Sequence, residues 1–372
     1  MKKLKIIFFL ILIPFFGISQ NNNCWSSFRG NQALTGVINK VLANSFRLDW
    51  TYETEDIIKS SAVSCGNNIF IGSNDGYLYS LSETGELNWK FKSETSFESP
   101  PLFLDNIVYI GSLEGIMFAI DAATGIEKWR YTTEGQISGS ANWIFSKDKK
   151  NKRIIFGSYD FFLHCVDAQT GELVWKYESD NFINGSPATD GKIAVFGGCD
   201  GFLHLVDIFT GTVQDKIDIG TYIASSVAID GENVYFGNYD GAFYSVNLDT
   251  KKTEWSYEGA GPFLGSPAVF GNKVIIGSQD KTVYCFNKDN GDILWTFKAL
   301  QKIDASPVIA IDKVLITSDD GRVYLLNLNT GENIWSYEIG CPIYGTPAIL
   351  PNMLVLGAKD GKVYAFERKW FF

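Results

Sequence analysis

The sequence predicts an all-β protein, an eight-bladed β-propeller of four-stranded antiparallel blades whose ring is closed by an N-terminal strand. Three observations lead to this prediction. A segment of about forty residues recurs eight times, each copy contains two short strands around a tight turn, and a fourth-strand pattern around Trp50 precedes the first repeat. A fixed period of this size is typical of repeat architectures. The copies align on an acidic residue, at Asp75, Glu114, Asp160, Asp200, Asp240, Asp280, Asp320 and Asp360.

Each repeat separates into four strand-like pieces, as in residues 183–217, which read INGSPATD, KIAVFGGCDG, FLHLVDIFTG and TVQDKI. The first piece carries Ser-Pro or a variant, and a proline, which lacks the amide donor, is expected at a strand start or edge. The second and third pieces alternate apolar and polar residues, as half-buried strands do. The Asp-Gly pair between them suits a hairpin turn with positive φ. The aspartates are therefore interpreted as turn residues and not as a row of metal ligands.

The fourth piece begins at Thr-Gly and ends at a tryptophan, which we expect to hold one blade against the next. Lys251 replaces the glycine in blade five, at a cost of about 1 kcal/mol if the position needs a left-handed φ. Asp215 replaces the tryptophan in blade four. Because a buried indole removes about 150–250 Å² from water, we expect the seam beside Asp215 to be the weakest in the ring. The predicted structural tryptophans are Trp50, Trp89, Trp129, Trp175, Trp255, Trp295 and Trp335.

The position of Trp50 predicts how the ring closes. This tryptophan, in LDWTYE, comes before the first Ser-Ser-Ala-Val piece, while the last repeat ends after its third strand at residues 363–366. We therefore expect the start of the chain to complete the last blade, which removes the open sheet edges. The predicted propeller spans residues 45–367, after an N-terminal segment at 20–44 and before a C-terminal tail at 368–372. The charged insertion at 145–153 is predicted to be a solvated hairpin.

Residues 1–19 are predicted to be a signal peptide and not part of the fold. MKKLK is a basic start, IIFFLILIPFF is an apolar run, and the small residues Gly17 and Ser19 favour cleavage near Ser19. The alternative is an uncleaved membrane anchor, for which the apolar run is short. Three asparagines before Cys24 do not match a lipobox. We expect an exported protein, periplasmic or secreted, that does not span a membrane after cleavage.

Charge and cysteine content exclude further classes. The full chain has a formal charge of −10, and loss of three lysines with the leader leaves −13. Such a surface repels phosphate backbones, so we expect no nucleic acid partner. The six cysteines include no adjacent pair and no haem-attachment motif. Cys165 and Cys285 share one repeat position, and buried free thiols are the preferred interpretation. We expect a monomer.

The repeat resembles that of the quinoprotein family. AIDAATGIEKW at residues 119–129 matches the tryptophan-docking pattern A-x-D-x-x-T-G-x-x-x-W, and WSSFRGNQALTGV at 25–37 resembles an opening common in secreted members. The resemblance covers almost all of the mature chain and implies a PQQ-type eight-bladed propeller. The ends and starts typical of WD40 repeats are missing. Because the docking motif holds blades together and binds nothing, the resemblance indicates fold far better than function.

The resemblance implies one of two functional groups. The dehydrogenases of the family hold pyrroloquinoline quinone (PQQ) and calcium over the central channel, and many carry an adjacent cysteine pair and long insertions. The other group contains non-catalytic propellers, among them the envelope scaffold of the outer-membrane β-barrel assembly machinery. The compact repeats and the missing cysteine pair favour the second group. We therefore expect no cofactor, with PQQ and Ca²⁺ only under the alternative of a dehydrogenase, where Ca²⁺ would lie near Asp304 or Glu98.

Irregular residues at the channel are the candidate binding residues. The first strand of each blade lines a propeller channel, and the residues just before the Ser-Pro position vary from blade to blade. They form a polar rim for a small ligand or a partner's side chain, or else a solvated mouth in which Lys59, Glu98 and Asp304 pair with one another. The candidate rim residues are Lys59, Glu98, Asn184, Asp304 and Tyr344.

No motif for catalysis or metal binding accompanies the repeats. His164 and His204 occupy one repeat position in adjacent blades, where other repeats have Tyr or Phe, and a structural role is preferred to a metal site. The chain has no nucleophile elbow and no P-loop. The sequence therefore predicts an exported, non-catalytic binding or scaffold propeller with a protein partner in the cell envelope. The alternatives are a PQQ-dependent dehydrogenase and a propeller that binds extracellular glycans.

Overall fold

The computed structural model describes residues 24–369, so the predicted signal peptide lies outside the described residues. The regular elements of this part of the chain are 33 strands, and it contains no helix that is long and apolar enough to cross a bilayer. The blades are, in order, Val63–Cys65, Asn68–Gly72, Tyr77–Ser82 and Leu87–Lys92; Leu102–Leu104, Ile107–Gly111, Ile116–Asp121 and Glu127–Thr132; Asn142–Phe145, Lys152–Gly157, Phe162–Asp167 and Leu173–Glu178; Ala188–Thr189, Ile193–Gly197, Phe202–Asp207 and Val213–Asp218; Ala228–Asp230, Asn233–Gly237, Ala242–Asn247 and Lys252–Glu258; Ala268–Phe270, Lys273–Gly277, Thr282–Asn287 and Ile293–Lys298; Val308–Ala310, Lys313–Thr317, Arg322–Asn327 and Asn333–Glu338; and Ala348–Ile349, Met353–Gly357, Lys362–Arg368 and Phe46–Glu53.

The eight sheets form a closed ring, as the sequence predicted. Each blade is an antiparallel meander, and first strands of neighbouring blades contact one another, which places them at the central channel. The strand Phe46–Glu53 pairs with Lys362–Arg368 and so completes blade eight, with Trp50 opposite Ala365. The last strand reaches Arg368, a residue that the sequence had placed in the tail. The insertion at 145–153 lies in the hairpin between the first two strands of blade three.

The acidic residues that mark the repeat are turn residues, as predicted. Asp75 shows the common arrangement: one carboxylate oxygen accepts the amide of Tyr77 at 2.9 Å and the other accepts the hydroxyl of Tyr79 at 2.7 Å. Gly76 in this turn has a φ of 82°. Blade five differs, because the side chain of Asn238 accepts the amide of Ala242 at 2.7 Å. Asp240 is therefore exposed and free of that structural task.

Most of the predicted tryptophans connect adjacent blades in one way. Trp175 donates its indole N–H to the carbonyl of Ile208 at 3.0 Å, and its ring lies against Gly211, where an added Cβ would come within 2.7 Å. Only glycine leaves room for a ring this close, and its φ of 73° is left-handed. Trp335 packs on Phe46 across the seam between blades seven and eight, with ring centroids 5.5 Å apart. The same bond and glycine contact occur for Trp50, Trp89, Trp129, Trp255 and Trp295.

The two irregular blades form one compensated seam. Asp215 pairs with Leu205, in the register that Trp175 occupies one blade earlier. Across the seam Lys251 stands in place of the glycine, with the predicted left-handed φ of 60°. Its ammonium group donates to the carbonyl of Leu248, which lies 33 residues after Asp215, just as Ile208 lies 33 residues after Trp175. Lysine thus makes the hydrogen bond that the missing indole would make. Because no tryptophan ring packs against position 251, this position does not require a glycine.

We expect Asp215→Trp combined with Lys251→Gly to raise the free energy of unfolding by about 0.5–2 kcal/mol, because the pair restores a buried indole contact. Asp215→Trp alone should destabilise, since Lys251 occupies the carbonyl and the space that the ring needs. Scanning calorimetry of wild type, both single variants and the double variant measures the coupling. A coupling energy below about 0.5 kcal/mol would contradict this account of the seam.

The segment before the ring closes one end of the channel. Carbonyl groups of residues 26–36 accept amides from one first strand after another, as when Ala33 accepts Ile229 and Gly36 accepts Ile309, both at 2.9 Å. Val37–Ile38 then pairs in parallel with the first strand of blade seven. We call residues 24–38 the plug. The backbone carbonyls of the plug thus accept hydrogen bonds from the first strands, whose amides at the inner edge of each blade would otherwise lack a partner.

A disulfide between Cys24 and Cys65 joins the plug to blade one. The sequence left the pairing of these two residues open, because Cys24 lies outside the repeats and no repeat pattern relates it to Cys65. Cys165 and Cys285 are buried free thiols, as expected. Burial raises the pKa of both thiols to about 12, so they remain protonated and unreactive.

Candidate functional site

The predicted rim residues line one cavity at the open end of the channel. The cavity has a volume of about 180 Å³, and each blade contributes to its wall the residue two positions before Ser61, Ser186 or their equivalent. These eight equivalent residues are Lys59, Glu98, Ser138, Asn184, Ala224, Leu264, Asp304 and Tyr344. All five candidates from the sequence are thus brought together, and their role in binding stays a prediction. We call the side of the ring around this cavity the mouth face.

The neighbours of the rim positions explain why these positions can vary. The preceding residue, such as Ile303, is a fully buried Ile or Phe that anchors the segment in its blade. The following serines join blades: Ser226 accepts the amide of Ser186 at 2.8 Å, and Ser306 accepts that of Ser266 at 2.9 Å. The rim residue lies between two structural positions and faces the channel. The amino acid at a rim position is therefore not fixed by packing and can vary with the function of the surface.

Charged side chains at the rim are paired. Lys59 forms an ion pair with Glu98 at 2.6 Å, which also accepts the side-chain amide of Asn74 at 2.8 Å. This ion pair confirms part of the alternative prediction, in which the charged rim residues pair with one another. Asp304 does not join this pair, because it precedes blade seven, two blades away from Lys59, and pairs with Lys302.

The second pair extends into a small network. Asp304 accepts the side-chain amide of Gln279 at 2.8 Å, and Lys302 also lies 3.5 Å from Asp319. The hydrogen bond to Asp304 raises the pKa of Lys302, which remains charged. Burial, assisted by the charge of Asp304, raises the pKa of Asp319 against the opposing effect of Lys302. Both carboxylates that the sequence offered as calcium ligands are therefore occupied by lysine and amide groups.

Exposed aromatic side chains cover the mouth face over blades three to five. Tyr222 and Tyr239 are 53% and 55% exposed, and Phe182 stacks on Tyr159 with ring centroids 4.9 Å apart. Phe161 packs beside them at 5.2 Å from Phe182. These five residues are called the aromatic arc. Aligning the repeats at the residue before the acidic turn residue would have found Tyr159 and Tyr239, because other blades have Asn, Leu, Cys, Gln, Asp or Lys there.

Carboxylates flank the aromatic arc. Asp218 and Asp240 are exposed beside Tyr222 and Tyr239 in the sequence and on the same face. Asp180, two residues before Phe182 in the linker, is also exposed and pairs with Lys216 at 2.9 Å. The arc is therefore an apolar surface with a negative border, in contrast to the balanced ion pairs on the other side of the mouth.

A larger cleft lies on the opposite face, where the plug meets blades one and two. It has a volume of about 790 Å³ and is bordered by the Cys24–Cys65 disulfide and by the turn at Asp105 and Asn106. The cleft is open, and its lining consists mainly of turn residues and backbone. Among the residues described, no three His, Cys, Asp or Glu side chains converge to hold a metal ion.

The two histidines are structural members of buried chains of hydrogen bonds. Nε2 of His164 lies 3.0 Å from Asp160, and its Nδ1 lies 3.1 Å from the hydroxyl of Tyr131. His204 repeats this arrangement with Asp200 at 2.9 Å and Tyr177 at 3.0 Å. Each histidine thus replaces the tyrosine that bonds the turn aspartate in other blades.

We expect Asp160 to stabilise the fold at neutral pH and to lose this effect in acid. Burial raises the pKa of Asp160, but the hydrogen bond and charge of His164, with two backbone amides, outweigh it and lower the pKa overall. A carboxyl whose pKa is lower in the folded chain stabilises above its unfolded pKa and loses that effect as pH falls through the folded pKa. The difference in melting temperature between wild type and Asp160→Asn should therefore be largest near neutral pH and shrink below about pH 4. Asp240→Asn, at an exposed equivalent position, is the control and should show no such trend.

Comparison with protein families identifies the repeats. The family model described as beta-alanine-activating enzyme, beta-propeller, matches residues 137–370, more than half of the chain. A second model, described as glucose/ethanol/alcohol dehydrogenase, beta-propeller domain, matches residues 79–192. No curated protein sequence matches this chain.

Solved structures share the fold at low sequence identity. BamB from Moraxella catarrhalis is similar with a TM-score of 0.74 and 20% identity, over 87% of this chain and 100% of that one. The computationally designed protein Ika8 gives 0.73 and 21%, over 85% and 97%. A europium-containing methanol dehydrogenase gives 0.78 and 11%, over 94% and 98%. These likenesses concern the fold alone. With the eight four-stranded blades and the match over residues 137–370, the chain belongs to the beta-alanine-activating enzyme β-propeller family and is built from PQQ-type repeats.

Proposed function

We propose that the protein is an exported, non-catalytic binding module that holds a protein partner on its mouth face. The observation that carries this proposal is the aromatic arc. Large exposed aromatic side chains are energetically unfavourable in a soluble protein that binds no partner, because they leave apolar area in water. Aromatic residues are enriched in the central contacts of protein interfaces, where a few of them carry most of the binding energy.

The border of the arc indicates the kind of partner. Asp218 and Asp240 are exposed beside the arc, and neither pairs with a lysine or arginine among the described residues. Complementary charge at the border of an interface speeds association and selects partners. The preferred partner is therefore a protein segment with apolar side chains next to lysine or arginine.

The mouth does not fit the quinone and calcium of the dehydrogenase alternative. The carboxylates of Glu98 and Asp304 already bind lysine and amide groups, so a cation there would have to displace both. The cavity of about 180 Å³ is also smaller than the roughly 300–1,000 Å³ of typical cofactor pockets. These contacts favour a binding module over a dehydrogenase.

Export is supported by the disulfide between Cys24 and Cys65. Disulfides persist in oxidising compartments such as the periplasm or the extracellular space and are rare in the cytosol. Together with the predicted signal peptide at residues 1–19, the disulfide favours a protein of the cell envelope. A glycan stacked on the aromatic arc is the competing occupant, and the experiment below separates the two.

Site-specific photocrosslinking in the native cell envelope tests the proposal. A photoreactive phenylalanine analogue at Tyr239 should give one discrete protein adduct, and Tyr222→Ser in the same chain should reduce its yield about tenfold, as expected when one central aromatic contact is lost. The matched control places the analogue at Phe270, which is 41% exposed on the opposite face, at the end of the first strand of blade six.

The outcomes are distinct. A discrete adduct at Tyr239, absent at Phe270 and sensitive to Tyr222→Ser, supports a protein partner on the arc. Adducts of equal yield at both positions contradict it. Saturable binding of the purified chain to an envelope glycan, abolished by Tyr222→Ser, would also contradict it and would support the glycan alternative.

A further inference from the structure

Arg29 is a buried cation without a counter-charge. Its side chain has an exposed fraction of 0%, and its two terminal nitrogens donate to the carbonyls of Pro307 at 2.5 Å and Pro267 at 2.7 Å. Its third nitrogen, Nε, has no hydrogen-bond partner, and no Asp or Glu of the described chain forms an ion pair with it. Buried charges in proteins are normally paired, because desolvating an ion costs several kcal/mol.

A ring of hydroxyl groups lies one residue away from this guanidinium. Ser266 and Ser306, which immediately precede the two prolines, line the cavity at the channel mouth. At this repeat position seven of the eight blades have a hydroxyl side chain on the cavity wall, and blade two has Pro100. One of the seven, Ser140, donates its hydrogen to the carbonyl of Ala141 at 3.2 Å. The other six are called the hydroxyl ring; they are Ser61, Ser186, Ser226, Ser266, Ser306 and Thr346.

The hydroxyl ring offers donors and few acceptors. Ser61, Ser186, Ser226 and Ser306 each accept a backbone amide, which uses an oxygen lone pair and leaves the hydroxyl hydrogen free. The hydroxyls of Ser266 and Thr346 make no hydrogen bond to any residue in the described chain. A hydroxyl that already accepts a bond has its donor left for a ligand. The free hydrogens therefore converge on the cavity.

Charge balance leaves Arg29 as the excess charge at this end of the channel. Three lysines and three carboxylates surround the cavity and lie in contact with one another or with the rim. They are Lys59, Lys302, Lys359, Glu98, Asp304 and Asp319. Phe28, next to Arg29 in the plug, also lines the cavity, and the Arg29 guanidinium bonds the carbonyls of the prolines that follow Ser266 and Ser306, so the buried cation lies close to the cavity wall.

We propose that the channel binds one small anion, such as phosphate, a halide or a single carboxylate group, held by the hydroxyl ring and neutralised by Arg29. Hydrogen bonds to a charged acceptor are about twice as strong as neutral ones, and a low local dielectric strengthens the attraction of the guanidinium. The small volume excludes larger anions. Burial alone lowers the pKa of Arg29 to about 9, a penalty that a bound anion offsets. This inference does not depend on a partner at the aromatic arc.

The test uses variants that remove donors without removing any hydrogen bond within the described chain. Thr346→Val and Ser266→Ala each delete one free hydroxyl, and Thr296→Val, on an exposed strand, is the matched control. The melting temperature of the mature chain is titrated with sodium phosphate, bromide and acetate. Ionic strength is held constant with methanesulfonate, which carries no carboxylate and is a weaker hydrogen-bond acceptor.

We expect saturable stabilisation of wild type and of Thr296→Val. The apparent dissociation constant should rise about tenfold in Thr346→Val and in Ser266→Ala, as expected for the loss of one charge-assisted hydrogen bond. Crystals soaked in bromide should show an anomalous peak inside the hydroxyl ring. Arg29→Met should abolish saturation, and if that variant does not fold, the two hydroxyl variants decide the question.

Two results would overturn the proposal. One is a linear, unsaturable salt response, and the other is an equal dissociation constant in wild type and both hydroxyl variants. Saturation by phosphate and bromide identifies a free inorganic anion as the ligand. Saturation by acetate alone identifies a carboxylate, such as the side chain of a bound protein. Loss of the crosslink at Tyr239 would leave all of these outcomes unchanged, so the two proposals fail separately.

Discussion

The structure depends on the contact between an indole and the next blade. Trp175 shows it in full: the ring packs on a glycine that has no Cβ to obstruct it, and its N–H satisfies a carbonyl of the neighbouring sheet. Because one contact of this kind repeats around the ring, neighbouring blades keep one spacing. The blade that lacks the tryptophan shows how strict the requirement is, since Lys251 makes the same carbonyl bond by another route. Because the seams are specified in this way, the rim side chains of the mouth face can vary from blade to blade.

The plug is the second constraint, because it closes one end of the channel and leaves a cavity that opens on the mouth face. Its carbonyls bond to successive first strands, and the Cys24–Cys65 disulfide attaches its beginning to blade one. The plug also carries Arg29 to the centre of the ring, where backbone carbonyls accept two of its nitrogens but no carboxylate neutralises it. The same segment thus closes one end of the channel and sets the electrostatic character of the cavity at the other.

The mouth face divides into two halves of different chemistry. On one half, Lys59 with Glu98 and Lys302 with Asp304 neutralise each other at the rim. On the other half, aromatic rings around Tyr239 are exposed to solvent beside unpaired carboxylates. Rim side chains that are already paired are poorly suited to acid–base or metal chemistry. Exposed aromatic rings beside negatively charged carboxylates are suited to binding a partner with apolar and basic residues. The physical case for a binding module therefore rests on the second half.

The sequence by itself determined the number of blades, the turn role of Asp75 and its equivalents, and the closing strand around Trp50, because each depends on local pattern and fixed period. It also placed the five rim residues at one repeat position. The pairing of Glu98 with Lys59, across neighbouring blades, and of Asp304 with Lys302, within one loop, was decided only by the tertiary structure, since it depends on how the blades place these side chains around the mouth. The disulfide and the position of Arg29 were likewise decided there. Both lie in the plug, which has no repeat pattern and whose path across the channel follows from hydrogen bonds to seven separate blades.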